Sequence, residues 1–350
     1  MNAEISTVAS TLDHYNEYFP DRPAFIFLSH DLTHREVLTF GELYLLSTRF
    51  AARMKSRRVK RDDRVVILLP NCPERAVVEA GVQYFGAVSV NGRCQSKDLS
   101  DLVYILNQSK ATTLIIDSDM YEQEWKSLKQ KYVQLYGPDD RLTAITIPNL
   151  RLCIHVKRPE RKFVHLESDD LLEVDDDDII LPPDVDEEGF LADLKTRWTQ
   201  QHTAMPPQEP RHVNCVMVTA GGQDGRLPKL VVHTHRNIIA ASRVITPRGD
   251  TPHVTYFMDH PMGSAEGHFA LTLFAGVTRV LMDERAGPPT KGYPKFVYEA
   301  IRTEKCERAV LHPAITPPLF RYFKDREAED LCISRLRMVW LSGEKVGHSI

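Results

Sequence analysis

Apolar positions along the first third of the chain follow two alternating periods. Leu43, Leu46, Phe50 and Met54 have the three- to four-residue spacing of a helix face, and the continuous apolar run at Arg64–Leu69 is typical of a buried strand. The same alternation predicts further helices and strands at Glu74–Phe85, Ala87–Val90, Leu99–Asn107 and Thr112–Ile116. This order of alternating strands and helices predicts an α/β fold, in which the strands form parallel or mixed sheets and the helices flank those sheets.

A second strand-rich region begins after residue 210. The β-branched runs Val213–Thr219 and Leu230–His233 predict two strands, and a helix is expected to begin near His235–Asn237. Later apolar runs predict strands at Val254–Met258, Thr278–Met282, Arg308–His312 and Met338–Leu341. Between the first two strands lies a glycine-rich stretch, Gly221–Gly225, which we expect to form an exposed loop.

An acidic segment separates the two regions. Between Glu167 and Glu188 the chain is rich in aspartate and glutamate, including the run Asp175–Asp178, and the mutual repulsion of these charges predicts a solvated surface excursion. A calcium loop is a poorer interpretation, because the position expected for its closing glutamate is Lys195. The predicted organisation is a first α/β subdomain (1–165), an acidic, proline-containing excursion and linker (166–210) and a second α/β subdomain (211–350).

Composition and charge limit the kinds of molecule that the protein is expected to bind and the compartment in which it is expected to lie. The formal net charge is −4, so no global basic field is available to attract nucleic acid. The six cysteines form no close pair, which argues against a zinc site and favours reduced thiols in the cytoplasm. No secretory signal and no apolar run of roughly 20 residues is present. We expect a protein that binds a small molecule and has no transmembrane segment; its oligomeric state is left open.

The glycine-rich loop has two possible interpretations, a plain hairpin turn or a phosphate-binding loop. Gly221, Gly222 and Gly225 let backbone N–H groups converge on an anion, and Lys229 adds a positive charge nearby. The Walker pattern fails because Lys229 is followed by Leu230 and a strand, and the glycines lack the spacing of a dinucleotide-binding fingerprint. Spacing alone favours the turn.

An ordered series of motifs favours the phosphate-binding interpretation over the plain turn. Around the loop, the residues that match a known pattern are Thr219, Gly221, Gly225, Pro228, Lys229, Val231, Thr234, His235 and Asn237. Matching segments upstream and downstream are Pro20–Ala24, Leu38–Leu43, Asp63–Val65, Leu69–Glu74, Gly86–Val88, Pro261–Gly263, Leu273–Gly276, Leu336–Val339 and Ser342–Glu344. In this order they resemble the adenylate-forming (AMP-binding) superfamily of acyl-CoA synthetases, luciferases and peptide-synthetase adenylation domains.

The resemblance implies the fold of the large N-terminal lobe of acyl-CoA synthetases, and it implies a reaction. A carboxylic acid, here a fatty or aromatic one, attacks the α-phosphorus of ATP to give an acyl-adenylate, and coenzyme A then takes the acyl group, with Mg²⁺ assisting. The residues implied for ATP are Thr219, Gly221, Gly222, Gly225 and Lys229, and those implied for the substrate pocket are His260, Gly263, Ser342 and Gly343. No catalytic residue and no metal ligand is assigned.

The chain departs from the family pattern in its loop and at its end. Ala220 and Gly222-Gln223 replace three hydroxyl residues, and Leu230 replaces a glycine. After Gly343 the sequence ends at Ile350, before the segments that supply magnesium, ribose and lysine contacts in the family. We therefore expect an incomplete and, by itself, inactive chain. The alternative is a catalytically inactive relative that binds a nucleotide or acyl ligand or acts through partners. A peroxisomal location is left open beside the cytoplasmic one.

Five histidine and acidic residues are candidate metal ligands. His260, Glu266 and His268 fit no standard zinc spacing, and an acyl-pocket loop explains them better. His233 and His235 are two residues apart, which on a strand would place both on one face, but a structural role is favoured because no third ligand accompanies them.

Overall fold

The computed structural model describes residues 5–92, 94, 99–117, 119–128, 147–157, 169–171, 189–196, 205, 207–219, 227–245, 254–284, 292–324 and 335–342. The chain divides into two compact units, and each unit is assembled from separate segments of the sequence. The first unit contains Met1–Tyr44, Pro70–Ala76 and Arg236–Ile350. The second contains Leu45–Leu69 and Val77–His235.

Helices and strands alternate along most of the described chain. The helices are α1 (Val8–Tyr18), α2 (Phe40–Ser56), α3 (Pro73–Phe85), α4 (Ser100–Ser109), α5 (Glu122–Leu128), α6 (Phe190–Thr196), α7 (His235–Ile245), α8 (Phe269–Ala275), α9 (Tyr293–Thr303) and α10 (Thr316–Lys324). The strands are β1 (Pro23–Leu28), β2 (Arg35–Thr39), β3 (Arg64–Leu68), β4 (Val88–Asn91), β5 (Thr113–Asp117), β6 (Leu152–Val156), β7 (Asp169–Leu171), β8 (Val213–Val218), β9 (Leu230–Thr234), β10 (Thr255–Met258), β11 (Thr278–Met282), β12 (Arg308–Leu311) and β13 (Met338–Leu341).

The described strands of the first unit form one mixed sheet. Its order is β13-β12-β10-β11-β1-β2. All neighbouring pairs are parallel except β1 and β2, which are antiparallel. The carboxyl ends of β10, β11, β12 and β13 therefore lie at the same edge of the sheet, which is where ligands of open α/β sheets bind.

The second unit has its own mixed sheet, with the described strands in the order β7-β6-β5-β3-β4-β8-β9. The five interior strands, β6, β5, β3, β4 and β8, are parallel to one another, and the edge strands β7 and β9 pair antiparallel with β6 and β8. Every residue of β5 and of β6 is buried, which is the pattern of a parallel strand covered on both faces. This burial accounts for the apolar residues that dominate both strands, Leu114–Ile116 in β5 and Leu152–Ile154 in β6.

The structure confirms the predicted α/β class with mixed sheets. The strands predicted on both sides of the glycine-rich loop are confirmed as β8 and β9. Asp175–Asp178 and Gly221–Gly225 lie outside the described residues, so their predicted exposure stays a prediction. Four strands, β1, β2, β6 and β7, were not predicted from the sequence. The sequence of β1, PAFIFL, is nevertheless a continuous apolar run whose last five residues are buried.

One glycine at the end of α8 is required by both conformation and space. Gly276 has a φ of 66°, in the left-handed region, and its N–H bonds to the carbonyls of Thr272 and Leu273. A Cβ at this position would lie 1.9 Å from the hydroxyl oxygen of Tyr15. Tyr15 is buried and its ring stacks on that of Phe40, with 4.5 Å between centroids, so it has little room to move.

We expect Gly276→Ala to destabilise the protein more than a glycine-to-alanine substitution at a left-handed position where the new Cβ meets no close neighbour. The left-handed conformation alone costs roughly 1–2 kcal/mol for a residue with a Cβ, and the contact with Tyr15 adds to it. The measurement is the midpoint of thermal unfolding. The matched control is Gly86→Ala, at a φ of 89° where the nearest atoms to a new Cβ are 3.5 Å away. Equal losses in the two variants would show that Tyr15 does not crowd this position.

Candidate functional site

The base of the glycine-rich loop is closed by two of the predicted phosphate-binding residues. In the β8–β9 hairpin Val218 pairs with Leu230. One step beyond, the N–H of Thr219 donates to the carbonyl of Lys229 at 3.0 Å, and the N–H of Lys229 donates to Oγ1 of Thr219 at 2.9 Å. The structure therefore brings Thr219 and Lys229 together, although they are ten residues apart in the sequence.

The side chain of Lys229 is exposed and makes no ion pair with any described residue. An exposed ammonium group at the base of a loop can bind an anion without first breaking an internal salt bridge. The other predicted loop residues, Gly221, Gly222 and Gly225, fall outside the described part of the chain. The structure thus places the two ends of the predicted phosphate loop, Thr219 and Lys229.

The predicted acid-pocket residues belong to the first unit. His260 and Gly263 follow β10, and Ser342 follows β13; its N–H donates to the carbonyl of Leu311 at 3.1 Å. Because β10, β12 and β13 are neighbouring parallel strands, the residues that follow them meet at one edge of the sheet. Gly343 lies outside the described residues.

His312 joins this edge and was not predicted as a site residue. Its ring centroid lies 6.4 Å from that of His260. The apolar run had predicted that His312 ends a strand, whereas β12 stops at Leu311 and His312 starts the next turn, accepting a hydrogen bond from the N–H of Ala314 at 3.3 Å. The signal available in the sequence was its position directly after a buried parallel strand.

His260 presents a neutral imidazole at this edge. The residue is buried, and its Nε2 has no hydrogen-bond partner among the described residues. Burial, followed by the positive charge of Arg279, lowers the pKa of His260 to about 4. At neutral pH the ring is therefore uncharged and can donate or accept one hydrogen bond, depending on its tautomer.

Arg279 on β11 holds the backbone around His260. Its guanidinium is fully buried; Nε donates to the carbonyl of Met258 at 2.9 Å and NH2 to the carbonyl of His260 at 2.5 Å. NH1 donates to the carbonyl of Gly267. A buried charge is tolerated when hydrogen bonds replace its hydration, and here each of the three guanidinium nitrogens donates to a carbonyl of the segment 258–267.

Asp259 ties the end of β10 to β11 and α9. Its Oδ1 accepts from the N–H of Met282 at 2.8 Å, and its Oδ2 accepts from the hydroxyl of Tyr293 at 2.5 Å. Burial raises the pKa of Asp259 to about 6; the hydrogen bonds from Tyr293 and Met282 oppose this rise, and the charge of Glu284 adds to it. The carboxyl group thus titrates close to neutral pH.

The other histidine candidates have structural positions. His268 caps α8, its Nδ1 accepting from the N–H of Ala270 at 3.3 Å. His233 lies on β9, whereas His235 is the first residue of α7, so the two do not share a strand. Within the described residues, no group of three or more histidine, cysteine, aspartate or glutamate side chains has a geometry suited to a metal ion. None of the described helices combines the length and the apolarity needed to cross a membrane.

The raised pKa of Asp259 predicts a pH dependence of stability with a definite sign. Between pH 3.8, its ordinary pKa, and about 6, the folded state holds a proton that the unfolded state has lost, so this group's contribution falls as pH rises. We expect Asp259→Asn, which can still accept from Met282 and can donate to the oxygen of Tyr293, to lack this fall. Relative to wild type, the variant should gain on the order of 2 kcal/mol between pH 4 and pH 7.

The measurement is the free energy of unfolding in urea across that range. Asp31→Asn is the control, because hydrogen bonds from Ser29 and Thr33 lower the pKa of this exposed carboxyl to about 2, below the pH range used. Parallel pH profiles for wild type and Asp259→Asn would contradict the assignment.

The amino-acid sequence is also similar to proteins of known function. Residues 12–350 match the AMP-binding enzyme family. A long-chain-fatty-acid–CoA ligase of Bacillus subtilis is 25% identical over 236 residues, which are 67% of this chain and 37% of that protein. Acetyl-coenzyme A synthetase 2 of Saccharomyces cerevisiae is 32% identical over 88 residues, 25% of this chain and 13% of that protein. The matches thus span less than half the length of these relatives.

Solved structures agree in fold. The inhibitor-bound N-terminal domain of FACL13 from Mycobacterium tuberculosis has a TM-score of 0.67 at 17% identity, covering 99% of this chain and 72% of that one. Acetoacetyl-CoA synthetase from Streptomyces lividans has a TM-score of 0.68 at 18% identity, covering 97% of this chain and 47% of that one. At such identities the likeness concerns the fold alone. Because the family match extends over residues 12–350, nearly the entire sequence, the chain belongs to the AMP-binding enzyme family.

Proposed function

We propose that this chain supplies the ATP phosphate loop and the acid-binding edge of an enzyme that activates a carboxylic acid through an acyl-adenylate to an acyl-CoA thioester. The observation that carries the proposal is the closed base of the glycine-rich loop, where Thr219 and Lys229 are held together by two hydrogen bonds in an AMP-binding chain. Such a base fixes the two ends of a loop whose glycines can then direct N–H groups at phosphate oxygens.

The chain's own residues contribute positioning and charge to this reaction. Lys229 places a cation beside the triphosphate, and the backbone of Gly221, Gly222 and Gly225 approaches the phosphates closely. Bound Mg²⁺ would neutralise charge on the departing pyrophosphate, and coenzyme A would accept the acyl group. We assign neither a magnesium ligand nor a coenzyme A contact to residues of this chain.

The acid is proposed to bind at the sheet edge that carries His260, Gly263 and Ser342, and Gly343, the residue after Ser342 in the sequence, is proposed to contribute to the same pocket. A neutral His260 with Nε2 lacking a described partner can donate to a carboxylate oxygen without a charge that must first be desolvated. A fatty or aromatic acid is the proposed substrate, and the likeness to the Bacillus subtilis long-chain-fatty-acid–CoA ligase supports the fatty acid.

A second candidate function is a catalytically inactive relative that binds a nucleotide or an acyl ligand. Ala220, Gly222 and Gln223 stand where the family pattern has hydroxyl residues. A hydrogen bond to a charged group contributes about 1.5–3 kcal/mol, so the loss of three hydroxyl donors weakens the hold on a triphosphate. Arg226 offers a charge, although a guanidinium fork does not occupy the place of a hydroxyl.

For location we propose the cytoplasm. The described cysteines at positions 72, 94, 153, 215 and 306 are free thiols. Unpaired cysteines are the usual state in a reducing compartment.

We expect the 350-residue chain to bind ATP weakly. We expect Lys229→Ala to abolish that binding, because the substitution removes the cation at the base of the loop. Isothermal titration calorimetry with ATP measures it. Lys60→Ala is the matched control: Lys60 is an exposed lysine of the same unit, and its ammonium group makes no ion pair with a described residue. ATP affinity that survives Lys229→Ala would refute the assignment of the loop.

Pyrophosphate release tests whether this chain activates an acid by itself. We expect the 350-residue chain, mixed with ATP, Mg²⁺ and a panel of acetate, palmitate and benzoate, to stay at background, because the altered loop lacks the hydroxyl donors that hold the triphosphate. Release above background with any acid, lost in Lys229→Ala, would establish acid activation by this chain and rule out the inactive relative.

A further inference from the structure

The side chain of Asn71 forms two hydrogen bonds with the backbone of the turn that follows β10. The residue is buried at 2% exposure, and its Oδ1 accepts from the N–H of Met262 at 2.8 Å. Its Nδ2 lies 3.4 Å from the carbonyl oxygen of His260 and donates to it. The amide therefore bonds the backbone immediately before and immediately after Pro261, so it defines the course of the turn.

Glu284, just beyond β11, fixes the orientation of this amide. Its Oε2 accepts from the backbone N–H of Asn71 at 2.8 Å, and its Oε1 accepts from Nδ2 of Asn71 at 3.3 Å. The N–H of Glu284 donates in return to the carbonyl of Asn71 at 2.9 Å. Nδ2 faces two acceptors and Oδ1 faces a donor, so only one assignment of the amide satisfies all the contacts.

The carbonyl of His260 is held a second time by Arg279. NH2 of Arg279 donates to it at 2.5 Å, from a guanidinium that also bonds the carbonyls of Met258 and Gly267. A Cβ on Gly267 would lie 2.4 Å from the carbonyl oxygen of Pro261 and 2.8 Å from that of His260, so a larger residue has no room there. The backbone of His260 is thus fixed from two directions while its Nε2 has no described partner.

We infer that Asn71, oriented by Glu284, is a positioning residue that holds the His260 imidazole in its buried place at the acid-binding edge. The inference rests on the proposed function for the role of His260 toward the acid, but the geometry stands without it. A side chain whose own backbone is bonded on both sides has few orientations available, and a residue that binds a ligand must be held within about 0.5 Å of its productive place.

The first test reads His260 directly by NMR, using histidine labelled with ¹³C at Cε1 and the loss of signal in His260→Gln for assignment. Asn71→Leu keeps the branched shape and the number of heavy atoms of the side chain but breaks both bonds to the turn. We expect the pKa of His260 to rise from about 4 toward its ordinary value of about 6.5 as water reaches the ring. Asn214→Leu is the matched control, since Asn214 is a buried asparagine of the second unit whose side chain has no described hydrogen-bond partner.

A second pair of variants keeps the test decisive if Asn71→Leu does not fold. Asn71→Asp turns an oxygen toward Glu284 and the His260 carbonyl, and the repulsion should release the turn. Combining it with Glu284→Gln restores a donor facing that oxygen on the Glu284 side but leaves the His260 carbonyl without its donor, so we expect the double variant to move the His260 titration only part of the way back to wild type. A His260 pKa that Asn71→Leu leaves unchanged, or a double variant no better than Asn71→Asp alone, would overturn the inference.

Acid binding separates the inference from the function on which it rests. By calorimetry, Asn71→Leu should lower the affinity for palmitate or benzoate by about tenfold, the loss expected when a hydrogen-bonding group is displaced, while ATP affinity stays at the wild-type value. A wild-type chain that binds neither acid refutes the proposed acid site, and the titration of His260 still decides whether Asn71 positions it. Equal acid affinities in wild type and Asn71→Leu, with binding present in both, would refute the positioning role.

Discussion

The guanidinium of Arg279 is completely buried, and the polar edge of the first unit depends on how its charge is satisfied. Removing a charge from water costs several kcal/mol unless hydrogen bonds replace the lost hydration. The chain supplies them by wrapping residues 258–267 so that the carbonyls of Met258, His260 and Gly267 converge on one side chain. The path of that segment, and with it the position of His260, follows from the need to solvate a single cation.

The same edge shows how a small number of polar groups can order a loop. Asn71 and Glu284 complete the hold on the turn at Pro261, and Asp259 joins the end of β10 to α9 through Tyr293. Each of these groups is matched to a partner of opposite hydrogen-bonding character, so a half-satisfied arrangement would leave a buried donor or acceptor at a cost of about 1–3 kcal/mol. This mutual dependence makes the edge rigid enough to present one imidazole in a defined place.

The glycine-rich loop is organised differently. Its base is an extension of an antiparallel hairpin, in which Thr219 and Lys229 continue the pairing of β8 and β9. Only local backbone bonds and a register set by β-branched strands are needed to bring these two residues together. That is why a sequence pattern sufficed to predict the two strands on either side of the loop, whose pairing then brings Thr219 and Lys229 together.

The sequence by itself determined the α/β class, most of the strands and the family, because fully buried parallel strands require continuous apolar runs and because ordered motifs survive in the primary structure. Motif position also predicts His260 and Ser342 as pocket residues, and this stays a prediction. The sequence did not reveal β1, β2, β6 or β7, or the contacts of Asn71, Glu284, Arg279 and His312 around His260. Asn71 and Glu284 are 213 residues apart, and Asn71 and Met262 are 191 apart. Hydrophobic periodicity records only which face of a nearby element is buried, whereas the partner of a buried polar group is chosen when distant segments pack, so only the tertiary structure could decide it.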